Sequence, residues 1–534
     1  KDLRTGKLGK ERVPKVSSLA WASNNQTLFY VTDNSAKRPY RLYRHVLGTD
    51  SAAAPIVYEE TDEKFALDVS RSRSGSYVFV ESSSHTATEI RFVAAEEPSS
   101  ELAVIAPREK DREYEVDHRL GAFFLRINDT GRNFRVVMTA AGDPGRKNWK
   151  EIVPHRDDVM IEGIDVFAGH LVLYERQDGL RHFRVLSFTT GATHRIEFPE
   201  PVYAAFSAEN REFDTSMFRF RYQSLTTPES VFDYEMEKRE RKLLKRTEVP
   251  GGYDPSRYAS ERLHAKAADG TSIPISIVYR KGTRRDGRNP LLLTGYGSYG
   301  SSSNPTFSSN RVSLLDRGVV YAIAHVRGGG EMGKKWHDGG RMLAKKNTFT
   351  DFIAVAEHLI REKWTSSDRL AIEGGSAGGL LVGAVVNMRP ELFRVAISRV
   401  PFVDVINTML DPTLPLTVGE FEEWGDPRVK EQYEYMMSYS PYDNIAAKAY
   451  PAMLVKTSFN DSQVMYWEPA KYVARLRASK TDSNPLVFKV NMAGGHGGSS
   501  GRYDKLKETA FDYAFLLTQL GVVKPAETSA APRS

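Results

Sequence analysis

Ser376 stands in the run AIEGGSAG, after the apolar stretch RLAIE and ahead of the small-residue segment AGGLLVGAVV. A Gly-x-Ser-x-Gly between a strand and a helix is the setting of a nucleophile elbow. The chemistry accounts for the glycines: the serine occupies a sharp turn with strained backbone angles, and bulky neighbours would clash with the adjoining strand and helix. The turn lifts Oγ above the sheet and aims a helix N-terminus at it, so the N–H of Ala377 can donate to an oxyanion. Glycine-rich strand-to-helix turns also bind phosphates, so the pentapeptide alone leaves both readings open.

A working serine needs a base and an orienting acid, in the chain order Ser, Asp or Glu, His. One histidine follows Ser376 in the whole chain, His496 in NMAGGHGGSSG. It lies just past a strand-like run, in a loop too glycine-rich to pack a core, at the sheet edge where open α/β folds carry their sites. The acid belongs in the loop after the preceding strand, where PAMLVKTSFNDSQV supplies Asp461. Asp404 and Asp443 compete, but Asp404 follows the strand beside the nucleophile and Asp443 precedes a helix.

A second group could do recognition. GEFEEWGDP concentrates Glu420, Glu422 and Glu423 beside Trp424. Carboxylates in a cleft need a cationic partner, and a substrate Arg or Lys would serve. The plain alternative is a solvated acidic turn.

These residues must be positioned by elements, and the chain has two rhythms. In the first part, β-type runs recur as LFY at Phe29, VFV at Phe79, FFL at Phe124, LVLYE at Leu173 and FRFRY at Phe220, in steps of 50, 45, 49 and 47 residues. Such a period, with turn-rich intervals, marks β-propeller blades, and about five are visible. A tandem of β-sandwiches is the alternative. The rhythm changes near EVPGGYDPSRY (248–258), after which apolar strands alternate with helices. That pattern predicts a mostly parallel α/β sheet covered on both faces. The expected division is a propeller domain at 1–252, a catalytic domain at 253–522 and a disordered tail at 523–534.

Length and composition bound the rest. A chain of 534 residues needs two or more domains. With no cysteine, disulfides and thiolate chemistry are excluded. The net charge of +6, from 74 basic and 68 acidic residues, carries no basic stripe for nucleic acid. No apolar run reaches the roughly 18 residues of a membrane span, and the first residues hold no signal-peptide core. A cytoplasmic protein with no nucleic-acid or membrane partner is expected.

The longer motifs carry a resemblance. GGSAGGLLVGAVVNMRPELF, VPFVDVINTMLDPTLPLTVGEFEEWGDP, NDSQVMYWEPAKY and AGGHGGSSGRY resemble the oligopeptidase B branch of the prolyl oligopeptidase family of serine peptidases. YGSYG (296–300), HVRGGGEMGKKWHDGG (325–340) and KKNTFTDFIAVAEHL (345–359) match as well. The resemblance implies an α/β-hydrolase catalytic domain capped by a seven-bladed β-propeller that admits short peptides. It implies a triad of Ser376, Asp461 and His496, and an oxyanion hole formed by Tyr296 with the N–H of Ala377; Tyr299 is the alternative tyrosine. It assigns Glu420 and Glu422 to preference for Arg or Lys before the scissile bond, and Phe402 to the flank of that pocket, where it could stack on a guanidinium. No metal or cofactor is implied. Gln463 departs from the prolyl branch, which has an arginine two residues after the triad aspartate. The resemblance also implies about two further blades and an N-terminal segment ahead of the first residue. Rival expectations are a prolyl- or acylaminoacyl-type peptidase or esterase on the same scaffold, and a propeller binding protein with a silent hydrolase domain. Monomer and dimer both stay open.

Overall fold

The computed structural model describes residues 4–9 and 12–522, so the expected tail at 523–534 lies outside the described residues. Residues 16–246 form five four-stranded antiparallel sheets, each a consecutive meander. The five apolar runs that set the sequence period are the second strands of these sheets: Thr27–Asp33, Tyr77–Ser83, Ala122–Ile127, His170–Gln177 and Met217–Ser224. Each second strand is hydrogen-bonded on both edges and buries an apolar side-chain row between sheets. Adjacent sheets bury their faces on each other. Phe29, Val31 and Leu42 of the first share a core with Val69, Val78 and Val80 of the second. Phe183 and Val185 of the fourth share one with Phe218 and Phe220 of the fifth. This is a blade-to-blade stack, and it is the propeller architecture expected from the period.

The second part is one eight-stranded sheet. Its order is Tyr258–Lys266, Ser272–Arg280, Val320–Ala324, Leu291–Thr294, Leu370–Gly375, Val395–Arg399, Ala452–Ser458 and Leu486–Asn491. The first two strands form an antiparallel hairpin, which the sequence pattern did not single out; from Val320–Ala324 onward the neighbours are parallel. Leu291, Leu293, Leu370, Ile372 and Ala396 lie within one buried cluster with Phe349, Phe352 and Val355 of the helix Lys346–Arg361 and with Leu380, Val382 and Val385 of the helix Ala377–Met388. The opposite face is closed by Leu516 and Leu520 at the end of the helix Arg502–Gln519. A parallel sheet covered by helices on both faces places its loops at the strand C-termini, the edge where ligands bind.

The two parts meet over a surface that includes residues 299–341. Arg132 makes a two-pronged pair with Asp338 at 2.9 and 2.8 Å, Lys334 pairs with Glu113 at 2.7 Å, and the N–H groups of Lys334 and Phe307 donate to Asn133 and Gln223. Among the described residues, no helix is long and apolar enough to cross a membrane.

Candidate active site

Ser376 follows the strand Leu370–Gly375 and sits at φ 56°, ψ −121°, a conformation costly to any residue with a Cβ, by about 1–3 kcal/mol. Its N–H donates to Arg399 O at 2.9 Å, and its carbonyl accepts from Gly379 and Leu380. The turn is possible because of two glycines: a Cβ on Gly374 would lie 2.1 Å from Gly378 O, and one on Gly378 would lie 2.9 Å from Gly295 O. Ala377, the first residue of the helix Ala377–Met388, is buried.

His496 is half-buried in the loop after Leu486–Asn491, and its Nδ1 lies 2.7 Å from Asp461 Oδ2. The N–H groups of Gln463 and Val464 donate to the other oxygen, Oδ1, so Asp461 is held on both sides. The competing aspartates are engaged elsewhere: Asp404 with Lys471 and Asn407, Asp443 with the Ser440 hydroxyl. The histidine loop is fastened at its base. Asn491 Oδ1 accepts from the N–H groups of Ala493 and Gly494, while Glu508 on the helix Arg502–Gln519 accepts from Asn491 Nδ2 and the Ser499 hydroxyl at 2.7 and 2.9 Å.

Ser376 opens onto a cavity of about 310 Å³, whose walls include Tyr296, Tyr299, Phe402, Glu420, Gln463 and His85. Tyr296 lines the same cavity as Ser376, and burial, with Glu420 and Glu423, pushes its phenol up to about 12. It therefore stays a proton-bearing donor at neutral pH. Phe402 is buried, packs on Trp424 with centroids 5.2 Å apart, and donates its N–H to Ser376 O at 3.2 Å.

The three glutamates separate. Glu420 lines the cavity and accepts from Trp424 Nε1 at 2.5 Å. Burial pushes its carboxyl up to about 7 against hydrogen bonds from Trp424 and Tyr299, with Glu423 also raising it and His496 near enough to lower it. Glu423 is fully buried and turned inward, accepting from Tyr299 N at 2.9 Å and lying 2.7 Å from His337 Nε2. Glu422 does not line the cavity. Its carbonyl accepts from Arg341, and its Oε2 is buried with no hydrogen-bond partner. The helical turn Phe421–Trp424 explains the split, since successive side chains point about 100° apart.

Sequence reasoning missed His85. It comes from the turn between the propeller strands Tyr77–Ser83 and Thr88–Ala94, and its ring stacks on Tyr299 at 5.6 Å. Burial lowers its imidazole against the pull of Glu423 and Glu422. Nothing local in SSSHTA marks this residue; only the docking of the two parts gives it a place.

A strained serine at a helix N-terminus, a protonated tyrosine and a carboxylate share one cavity, and with the His496–Asp461 pair, which follows strand ends of the same sheet, they are the kinds of group that acyl transfer uses. Two family models match the chain: the prolyl oligopeptidase family over residues 305–523, and the N-terminal β-propeller domain of prolyl oligopeptidase over residues 1–247. Dipeptidyl aminopeptidase BI of Pseudoxanthomonas mexicana is 47% identical over 526 residues, covering 98% of this chain and 72% of the relative. Protease 2 of Moraxella lacunata is 43% identical, covering 98% and 76%. Among solved structures, oligopeptidase B from Trypanosoma brucei with covalently bound antipain superposes with a TM-score of 0.93 at 39% identity, over 97% of this chain and 75% of that one. Oligopeptidase B from Leishmania major gives 0.91 at 38%, over 94% and 72%.

Proposed function

The chain belongs to the prolyl oligopeptidase family of serine peptidases, and on that premise we propose that it hydrolyses short peptides on the carboxyl side of Arg and Lys. His496 takes the proton of Ser376 as Oγ attacks the carbonyl carbon. Asp461 holds the imidazole by the Nδ1 contact at 2.7 Å. The Tyr296 hydroxyl and the Ala377 N–H receive the charge that develops on the carbonyl oxygen. His496 then gives its proton to the leaving amine, and water, deprotonated by the same imidazole, releases the acyl group from Ser376.

The observation that carries the specificity is Glu420, a half-buried carboxylate on the wall of the cavity that Ser376 enters. A guanidinium or ammonium would pair with it where water cannot. Phe402 offers an apolar wall for the aliphatic stem of such a side chain. Glu422, with one carboxylate oxygen buried and unpartnered, adds negative potential to the same region. A cytoplasmic location goes with this reading, and cell fractionation tests it.

A panel of fluorogenic substrates with Arg, Lys, Pro or acetyl-Ala before the scissile bond tests the assignment, with Ser376→Ala as control. The Arg and Lys substrates turn over with the highest kcat/KM, and the control is inactive; preference for Pro or acetyl-Ala contradicts the reading. The name of the 47% identical relative favours a second reading, removal of dipeptides from a free N-terminus. Arg substrates with free and blocked N-termini separate the two: an exopeptidase rejects the blocked ones, an endopeptidase cleaves both.

A further inference from the structure

Lys345 is 1% exposed, and no step of the proposed reaction uses it. It immediately precedes the helix Lys346–Arg361, and its Nζ donates to Gly297 O at 2.6 Å and to the Ser298 hydroxyl at 2.8 Å. The same ammonium lies 4.8 Å from the centroid of the Trp424 ring. These contacts reach two different parts of the site. Gly297 and Ser298 directly follow Tyr296, the tyrosine placed to meet an oxyanion. Trp424 is the residue whose indole N–H holds the Glu420 carboxylate.

Gly297 leaves the loop little other freedom. It sits at φ 72°, and a Cβ there would lie 2.4 Å from the Thr348 methyl and 2.7 Å from a Val326 methyl. Thr348 Oγ1 reaches the same Gly297 carbonyl at 3.3 Å, and Glu423 holds Tyr299 N farther along. Lys345 is thus the charged tether nearest to Tyr296. Burying an ammonium carries a desolvation penalty, and a methionine would fill similar space without it. Burial pushes the lysine down to about 8, with Glu423 pulling the other way.

We propose that Lys345 is a positioning residue that sets the oxyanion tyrosine and the specificity carboxylate in register, through the Gly297 carbonyl on one side and the Trp424 ring on the other. The inference rests on the acyl-transfer reading above. It makes catalysis and cation recognition fail together when the lysine is lost, although it touches neither substrate nor the reacting atoms.

The test is Lys345→Met, measured per active site by titrating Ser376 with a fluorophosphonate. Turnover of a small ester falls on the order of tenfold with KM unchanged, and benzamidine binds several-fold more weakly. A lower melting temperature with per-site kcat and benzamidine affinity both unchanged makes the lysine merely structural and overturns the proposal. Where Lys345→Met does not fold, Ser298→Ala removes one acceptor only. It should lower kcat about threefold at constant KM, and an unchanged kcat overturns the proposal. Ser376→Ala on the same substrates keeps the two failures apart. If that variant is active, the acyl-transfer reading fails and takes this one with it; if it is dead while the Lys345 variant is normal, only the present inference fails.

Discussion

Glu420 is the residue whose environment makes the sharpest prediction. Its carboxyl is pushed up to about 7, so near neutral pH it is shared between two protonation states in the free enzyme. A cationic substrate favours the carboxylate and a proton competes with it. KM for an Arg substrate therefore falls as pH rises through about 7, while KM for an uncharged ester stays flat; a steady-state pH series on both substrates reads this directly. Glu420→Gln should raise KM for the Arg substrate by on the order of tenfold or more, since it removes one partner of a buried charge pair. It should spare the small ester. Tyr296→Phe should instead lower kcat on the order of a hundredfold with little change in KM, because the role proposed for its hydroxyl is to receive charge that develops only in the transition state. From the sequence, GEFEEWG was expected to serve recognition through Glu420 and Glu422, and of these Glu420 alone lines the cavity. A single helical turn sends Glu420 to the cavity and Glu423 to Tyr299 N and His337, and that division depends on partners distant in the chain.

Among the elements, the strand-to-helix turn at Ser376 was the most legible, because its glycines report a steric requirement that is local. Gly374→Ala would place a methyl 2.1 Å from Gly378 O, backbone against backbone. The expected cost is about 1–3 kcal/mol, read by urea unfolding of the purified protein. The five second strands of the propeller sheets were legible for a similar reason, since four carry a continuous apolar run, the fifth alternates Phe and Tyr with Arg, and all recur at a near-constant spacing. The hairpin Tyr258–Lys266 and Ser272–Arg280 was not. Its first strand alternates charged and apolar residues at the sheet edge and carries little of the buried-strand signal. The support beneath the site was hidden for another reason. Arg399 bridges Glu373 and Asp512 at 2.6 and 2.8 Å, and Lys456 pairs with Asp512 at 2.9 Å. This network joins three strands to the C-terminal helix and has no sequence pattern of its own.

For the whole molecule, the propeller is part of the site as well as a cover. His85 reaches Tyr299 only because the second sheet docks over residues 296–300. One docking contact is ionic and partly exposed, with side chains 26% and 32% accessible in the Arg132–Asp338 pair. Each such pair contributes about 0–1 kcal/mol and weakens with salt. Asp338→Asn should leave the melting temperature nearly unchanged while making the interface easier to nick in limited proteolysis, an effect that high salt should mimic in the wild-type protein. His85→Ala should raise KM for peptides that extend beyond the residue before the scissile bond, and should leave a small ester untouched.

Ser376 is proposed as the nucleophile of a peptidase that cuts after Arg or Lys. Its most direct test is kcat/KM for a fluorogenic peptide with Arg before the scissile bond, compared between the wild-type protein and Ser376→Ala. The account predicts robust cleavage by the wild type and a loss on the order of 10⁵-fold or more in the variant. Cleavage by the variant within about tenfold of wild type, a barrier difference of only about 1.4 kcal/mol, would contradict it.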